Sequence, residues 1–324
     1  MTADQLSALS DTLFSTSVGL YSLAVVAFCA QLAFGRRPAR ERALVGAGAP
    51  GTPVGPASAL PDASALPDEP APVRRWGRAA MLLTAVGALT HAGVLVTRGM
   101  ATDRLPWGNM YEFATAVVLV AVVVFLVMAL RSPGLRHLGL FVLAPVVVSM
   151  VAIGLFLYVE GGPLVAALRS SWLAVHVSTA ILGFGVFFVS GIASVLYLVR
   201  SRYEARGADA ATSGVVARLP SAAGLDRVAH RTAVFGFPIW TFAVIAGAIW
   251  AESAWGRFWG WGPKETWAFI AWVVYAAYLH ARTTSGWRGR PSAWVNVVGL
   301  GVMVFNLLYV NMVSTGLHSY GGVN

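Results

Sequence analysis

The stretch that decides the fold is LAVHVSTAILGFGVFFVSGIASVLYLV, residues 173–199, which contains no Asp, Glu, Lys or Arg. An apolar run of about 20 residues is long enough for an α-helix to cross the hydrocarbon core of a bilayer. Comparable runs lie near residues 14–34, 78–98, 111–130, 138–158, 232–252, 265–281 and 292–315. The sequence therefore predicts an all-α, polytopic membrane helix bundle with about eight transmembrane helices.

The composition of the chain supports a lipid environment. Of the 324 residues, 57% are hydrophobic and 11% are charged, whereas soluble domains carry about 25% charged residues. The single cysteine, Cys29, lies inside an apolar run, which excludes a disulfide framework and a cysteine metal site. The net charge of +9 indicates basic cytoplasmic loops beside membrane lipid, and no nucleic-acid partner is expected.

The distribution of basic residues predicts how the helices are oriented. If the N-terminus is external and the loops alternate, the inner loops hold all but five of the 23 Lys and Arg residues. The five outer ones are Arg98, Arg104, Arg169, Arg257 and Lys264. This bias follows the positive-inside rule, so both termini are predicted to be extracytoplasmic.

Three parts are predicted along the chain. Residues 1–37 hold the first transmembrane helix, and residues 38–77 form a disordered cytoplasmic linker. The linker is rich in Ala, Pro and Gly and contains the near-repeat SALPDASALPD at residues 58–68, a composition that cannot bury a core. Residues 78–324 form the main transmembrane domain, which carries a Trp-rich outer loop at residues 253–267.

The outer loop after the sixth helix is the most informative stretch, AESAWGRFWGWGPKETWAF, residues 251–269. It holds four indoles, more than the one or two Trp per helix end that form an ordinary aromatic belt. We expect the rings to form a flat shelf for a planar ligand, which the interleaved glycines let approach the backbone. The rings belong to Trp255, Trp259, Trp261 and Trp267, and the glycines are Gly256, Gly260 and Gly262.

The same loop carries two bases and a helix start. Arg257 and Lys264 either pair with carboxylates on such a ligand or contact lipid head groups. Gly262 is predicted to be the N-cap of the seventh helix, with Pro263 as its first residue. Glu265 is then the third residue, where a carboxylate suits the positive end of the helix.

Four histidines are placed by this topology. His176 and His318 are predicted near the outer membrane surface, at the start of the fifth helix and just past the eighth. His280 ends the seventh helix near the inner side. His91 lies in the outer half of the second helix, where it is either a functional ionisable residue or the hydrogen-bonding partner of a neighbouring helix.

Two outer imidazoles, an aromatic shelf and a basic pair on one face suit a flat, aromatic, dianionic ligand whose metal takes imidazole. Haem has these properties. Zinc is the weaker alternative, because no third or fourth ligand is obviously placed beside the two histidines.

The segment WGRFWGWGPKETWAF, residues 255–269, resembles the tryptophan-rich WWD motif of the haem-handling membrane proteins of cytochrome c biogenesis. The chain is most similar to the CcsA/ResC type, called CcsB in some bacteria. Further matches are SSWLAVHVS at 170–178, NMYEF at 109–113 and GLHSYG at 316–321. The resemblance covers most of residues 78–322, with one departure: Gly262 replaces the usual Asp of the motif.

The resemblance implies a function in the system II pathway of cytochrome c biogenesis. Such proteins work with a ResB-type partner, move haem b and keep it reduced. The pair acts as a holocytochrome c synthase, or haem lyase, which joins haem to the Cys-x-x-Cys-His thiols of apocytochrome c. A bacterial cytoplasmic membrane is favoured over a thylakoid membrane.

The resemblance also implies roles for individual residues. His176 and His318 match the axial ligands of an external haem iron and the catalytic pair, while His280 matches an intramembrane haem ligand. The opposite ligand of that second haem is expected from the partner chain, so His91 has no implied role. The loop tryptophans and Arg257 are expected to contact the haem.

Three alternatives stay open at this point. One is a haem exporter or chaperone that hands haem on without ligation. Another is a transporter of lipid-linked substrates, where Trp and Arg would serve a polyprenyl phosphate. The third is a structural assembly subunit whose histidines are dispensable.

Overall fold

A computed structural model of the chain describes residues 1–34, 71–164, 168–206, 215–312 and 317. These residues form eight long helices and no strand, which confirms the predicted all-α membrane bundle. The helices are α1 Ala3–Phe34, α2 Ala71–Thr102, α3 Met110–Arg131, α4 Gly139–Phe156, α5 Ser171–Glu204, α6 Ala222–Trp255, α7 Pro263–Thr283 and α8 Arg290–Met312. Two short 3-10 helices, Pro133–Leu138 and Val216–Arg218, lie in the α3–α4 and α5–α6 connections.

Seven of these helices are long and apolar enough to cross a membrane. The exception is α7, whose first turn contains Lys264 and Glu265 and whose body is rich in Trp and Tyr. The helix α2 begins at Ala71, ahead of position 78, where the main domain was predicted to start. The rest of the predicted linker, residues 38–70, lies outside the described residues.

Helix α5 occupies the centre of the bundle. Within its most apolar window 72% of the residues are buried, against 28–50% for the other spanning helices. It pairs with α6 and also contacts α3 and α8. Its Phe187 ring stacks on Tyr275 of α7, with ring centroids 3.5 Å apart. Towards α8, the Asn296 amide donates to the Ser190 and Ser194 hydroxyls at 2.9 and 2.8 Å.

Contacts between helix ends show which loops share one end of the bundle. Tyr158, just after α4, donates to Asp11 near the start of α1 at 2.8 Å. Ser253, near the end of α6, donates to Ser170 at the start of α5 at 3.4 Å. These contacts gather the start of α1, the end of α4, the start of α5 and the end of α6. We call this the Trp-loop end; its extracytoplasmic placement is the prediction from the basic residues.

A buried carboxylate ties α2 and α3 together at the Trp-loop end. Glu112, from the NMYEF stretch, is 0% exposed and accepts from Arg98 Nε at 3.2 Å and Arg104 Nη1 at 2.8 Å. It also accepts from Gly108 N at 2.7 Å and Asn109 Nδ2 at 3.2 Å. Arg98 further donates to the Val159 carbonyl in the α4–α5 loop. This Glu112 cluster holds the loop that leads into α5.

Candidate functional site

A cleft opens at the Trp-loop end between α5, α6, the Trp-rich loop and the first turn of α7. It encloses about 60 Å³, and its volume including the part open to solvent is about 480 Å³. Its polar and aromatic lining comes from His176, Trp240, Trp250, Phe258, Trp259, Lys264 and Glu265, and the remainder of its lining is small apolar residues of α5, α6 and α7. We call it the His176 cleft. An apolar concave site with a few convergent polar groups is the usual form of a ligand site.

His176 is held in one orientation by α6. Its Nδ1 donates to the Ala243 carbonyl at 2.8 Å. Because a carbonyl only accepts, Nδ1 carries the proton and Nε2 keeps the lone pair. Metal-binding histidines are oriented by hydrogen bonds of this kind. The arrangement therefore suits a histidine that offers Nε2 to a metal.

Two further α6 residues shape the position of the imidazole. The His176 ring lies nearly parallel to Trp250, with ring centroids 5.8 Å apart and an interplanar angle of 10°. Gly247 of α6 also lies against this ring: a Cβ at position 247 would stand 2.7 Å from His176 Cε1. The imidazole therefore needs glycine at this position. Sequence reasoning missed both residues, and no local motif marks them.

The four loop tryptophans do not form the expected flat shelf. Trp255 packs at 62° against Trp250, with centroids 4.8 Å apart, and Trp267 packs against Phe305 of α8 at 4.3 Å. The rings of Trp259 and Trp261 are 5.7 Å apart and nearly perpendicular, at 86°. The shelf prediction was wrong because each indole packs edge-to-face or tilted against an aromatic neighbour, and aromatic pairs prefer edge-to-face arrangements to flat sandwiches.

Trp259 is the one loop tryptophan that lines the His176 cleft. Its Nε1 is buried, and no hydrogen-bond partner for it lies among the described residues. Buried polar groups are normally paired, so an orphaned donor beside the cleft suits an acceptor oxygen on a bound ligand.

The two predicted basic residues, Arg257 and Lys264, do not lie in the same site. Lys264 lines the His176 cleft, while Arg257 is not part of its lining. The Arg257 guanidinium lies over Gly260, where a Cβ would collide with it. Only Lys264 is therefore placed to meet a ligand inside the cleft.

The predicted start of α7 is confirmed. Gly262 is the N-cap and Pro263 opens the helix. The Glu265 carboxylate turns back, and its Oε2 accepts from Gly262 N at 3.1 Å and from Gly260 N at 2.8 Å. The second of these bonds was not foreseen, because it depends on how the loop folds over the helix end.

Two of the other predicted histidines, His280 and His91, are not in the cleft. His280 is exposed on α7, about 24 Å along the helix from Lys264 at 1.5 Å per residue. His91 is fully buried and its Nδ1 lies 3.2 Å from the hydroxyl of Tyr21, between α1 and α2, which do not line the cleft. His318 lies outside the described residues.

Several features of the donor set fit haem. The cleft offers one oriented imidazole, an unpaired indole N–H and a lysine on an otherwise apolar wall. Haem iron takes imidazole ligands, and haem also presents a large apolar ring and carboxylates. Within the part of the chain that the structure describes, no group of three or more His, Cys, Asp or Glu side chains could hold a metal ion, and this disfavours a zinc site there.

These observations define a class: a multi-pass helical membrane protein with an imidazole-bearing, indole-lined cleft at one end of its bundle. Comparison with known proteins gives the family. The family model described as "Cytochrome C assembly protein" matches residues 107–318. The chain belongs to this family of cytochrome c assembly proteins.

Individual relatives agree with the family. The cytochrome c biogenesis protein CcsA of Gloeobacter violaceus is 34% identical over 290 residues, which cover 74% of this chain and 85% of that protein. The protein of the same name from Synechococcus elongatus is 36% identical over 281 residues, covering 73% of this chain and 85% of that one. The resemblance to the CcsA type that the Trp-rich stretch indicates is therefore confirmed.

The fold is also similar to a solved structure, "Cytochrome c Heme Lyase CcmF", with a TM-score of 0.62. The two chains are 16% identical, and the match covers 95% of this chain and 47% of that chain. The present chain thus spans about half of this structural neighbour, and the likeness shows the fold alone.

Proposed function

We propose that this multi-pass, haem-handling protein of cytochrome c biogenesis binds haem b in the His176 cleft and, with a ResB-type membrane partner, attaches it to apocytochrome c. The observation that carries the proposal is the hydrogen bond from His176 Nδ1 to the Ala243 carbonyl at 2.8 Å. This bond fixes the tautomer in which Nε2 keeps its lone pair, the form in which a histidine can bind iron. His176 and His318 would be the catalytic pair of this reaction.

The walls of the cleft supply the other contacts of the proposed site. The Trp259 indole would cover part of the porphyrin and donate its Nε1–H to a propionate. Lys264 would pair with a propionate as a charged donor. Trp261 would contact the outer edge of the ligand, while Trp255, Trp267 and Arg257 hold the surrounding loop and helix ends in place.

His318 is the proposed second axial ligand, brought to the iron from just beyond α8. With both imidazoles bound, the iron has no open position, which limits oxygen chemistry. The histidine of the apocytochrome Cys-x-x-Cys-His motif would then replace one of them. The protein's main contribution would be positioning, which makes the reaction of thiol and vinyl group effectively unimolecular.

The thioether step needs no oxidant. Each cysteine S–H adds across a vinyl C=C: a C–S bond forms, the S–H bond breaks, and the hydrogen goes to the other vinyl carbon. Both thiols come from the apocytochrome, since the chain's one cysteine, Cys29, lies in α1, away from the cleft. His176 and His318 hold the iron, and so the ring, while the two bonds form.

His280 is proposed to serve a second, intramembrane station. Its side chain is exposed on α7, so an iron bound there would take its opposite ligand from another chain, and the ResB-type partner is the natural donor. Haem would pass from this station to the His176 cleft. The proposed location is the bacterial cytoplasmic membrane, with the thylakoid membrane as the alternative.

The test is to co-express the chain with a ResB-like partner, purify the complex from haem-replete cells and record its reduced absorption spectrum. The variants are His176→Ala, His318→Ala and His280→Ala. His230→Ala is a matched control, because His230 lies in α6 near the opposite end of the bundle. We expect a low-spin spectrum that weakens in the His176 and His318 variants and returns with added imidazole.

The other outcomes separate the alternatives. Loss of haem only in His280→Ala would place the stable haem at the intramembrane station and make the cleft a transient one. Haem that binds normally but is never attached to apocytochrome would favour the exporter or chaperone. A wild-type complex without haem would refute the proposal and leave the lipid-linked substrate or the structural subunit.

A further inference from the structure

Trp261 has an unusual backbone conformation. Its φ is +56°, and the other described residue besides glycine with a positive φ is Asp103, at 49°. This left-handed region is disfavoured for bulky residues and is seen where surrounding contacts enforce it, often at functional sites. Trp261 is also 66% exposed, so burial of its own ring does not explain the conformation.

The Glu265 carboxylate supplies the enforcing contacts. Its Oε2 accepts from Gly260 N at 2.8 Å and from Gly262 N at 3.1 Å. These two amides stand immediately before and after Trp261, so both peptide neighbours are fixed to one oxygen atom. Glu265 is itself held in the first turn of α7. The left-handed turn at Trp261 is thereby tied to a rigid helix.

The turn determines where the Trp261 ring lies. It stands edge-on to Trp259, with centroids 5.7 Å apart, and edge-on to Phe269, at 6.1 Å. Phe269 in turn lies 6.5 Å from Trp259. The three rings therefore support one another, and the member that lines the His176 cleft is Trp259.

We propose that Glu265 is a positioning residue for haem handling: by holding Trp261 in the left-handed conformation, it keeps the Trp259 ring against the His176 cleft. This inference rests on the proposed function. A carboxylate that serves only as a helix cap would stabilise α7 without any dependence on Trp261. The two roles therefore differ in whether the effect of Glu265 passes through the Trp261 ring.

The test is a double-mutant cycle of Glu265→Ala and Trp261→Ala in the complex with its partner, read out by haem titration. Glu265→Ala should weaken haem binding about tenfold, the lower end of the loss seen when a group that orients a metal site is removed. In the Trp261→Ala background the same substitution should have no further effect. The control cycle pairs Glu265→Ala with Trp267→Ala, whose ring packs on Phe305, and there the effects should multiply.

Two further measurements cover the haem-free protein and the helix cap. The Trp259–Trp261 pair should contribute an exciton signal in far-ultraviolet circular dichroism, beside that of the Trp250–Trp255 pair. The part of the signal that Trp261→Ala removes should also be lost in Glu265→Ala. Glu265→Gln, which keeps an acceptor oxygen for both amides, should retain the signal and near-normal haem binding. Since the signal does not need haem, it reports on the loop even in a variant that binds none.

Equal losses from Glu265→Ala with and without Trp261 would overturn the inference and leave either a helix cap or a direct contact with the ligand, since Glu265 also lines the His176 cleft. The inference would also be overturned if Glu265→Ala kept the part of the exciton signal that Trp261→Ala removes. If haem is bound, and is lost in His176→Ala but not in Glu265→Ala, the proposed function stands and this inference alone fails. If the wild-type complex takes up no haem, the proposed function is refuted, and the circular-dichroism measurement still tests whether Glu265 holds Trp261.

Discussion

Replacing Gly247 by alanine tests directly how α6 holds the imidazole of His176. The added methyl carbon would lie 2.7 Å from His176 Cε1 and 2.8 Å from Nδ1, closer than such atoms can approach. Gly247 and Ala243 are one helical turn apart on α6, so the methyl group pushes the ring away from the carbonyl that now fixes it. We expect the hydrogen bond to Ala243 to lengthen or break.

The size of the effect follows from two contributions. Overpacking a fitted site costs about 1–3 kcal/mol, and the lost hydrogen bond is worth about 0.5–1.5 kcal/mol. These overlap, since the ring relieves the clash by giving up the bond. A loss of about 1–3 kcal/mol from the haem-bound state corresponds to roughly 5- to 150-fold weaker haem binding.

The assay is haem titration of the purified complex, followed by the reduced spectrum. Gly301→Ala is the matched control, because it is also a helical Gly→Ala change and a Cβ there meets nothing within 4 Å. The control should bind haem normally, and added imidazole should restore the low-spin spectrum of Gly247→Ala. Haem binding by Gly247→Ala equal to wild type, without imidazole, would refute the account of how His176 is held.

The remaining predictions concern stability and the limits of the site. Glu112→Gln should cost about 3–5 kcal/mol of unfolding free energy, because it leaves the buried Arg98 guanidinium, 3% exposed, without its counter-charge. The measurement is thermal unfolding in detergent, with Glu252→Gln, at an exposed position, as the control. Equal melting temperatures of the two variants would show that burial of the ion pair does not determine the loss. His91→Ala should lose about 2 kcal/mol or more through the cavity it opens, yet keep the wild-type haem spectrum. Loss of haem at unchanged stability would instead make His91 part of the haem path.

The fold class could be predicted from the sequence because a helix that crosses a bilayer needs about 20 consecutive apolar residues, and such long runs are easily recognised. A run such as residues 173–199 has no stable alternative to a helix in the membrane, since unsatisfied backbone groups are costly there. The start of α7 was also predictable, because Gly262, Pro263 and Glu265 act within one helical turn. In both cases the determining interactions are local or depend on composition alone.

The candidate site was predictable only in part. The sequence indicated His176 and the Trp-rich loop as site residues, because polar and aromatic residues there are costly or unusual. It did not indicate Gly247, Trp250 or the Ala243 carbonyl, since their importance arises from the packing of α6 against α5. The flat shelf failed for a related reason: composition predicts that indoles are present, but each ring plane is set by its tertiary neighbours.

The departure at Gly262 gains a physical account from Glu265. An Asp N-cap would accept from the first-turn amides of α7, and glycine in its place costs only a few tenths of a kcal/mol. In this chain the carboxylate at the helix start comes from Glu265, which binds Gly262 N and also reaches Gly260 N. A Cβ at Gly262 would stand 3.8 Å from the Glu265 carboxyl carbon, so an Asp there would bring a second negative charge beside the first. With glycine at position 262, the carboxylate that holds the turn at Trp261 is therefore that of Glu265.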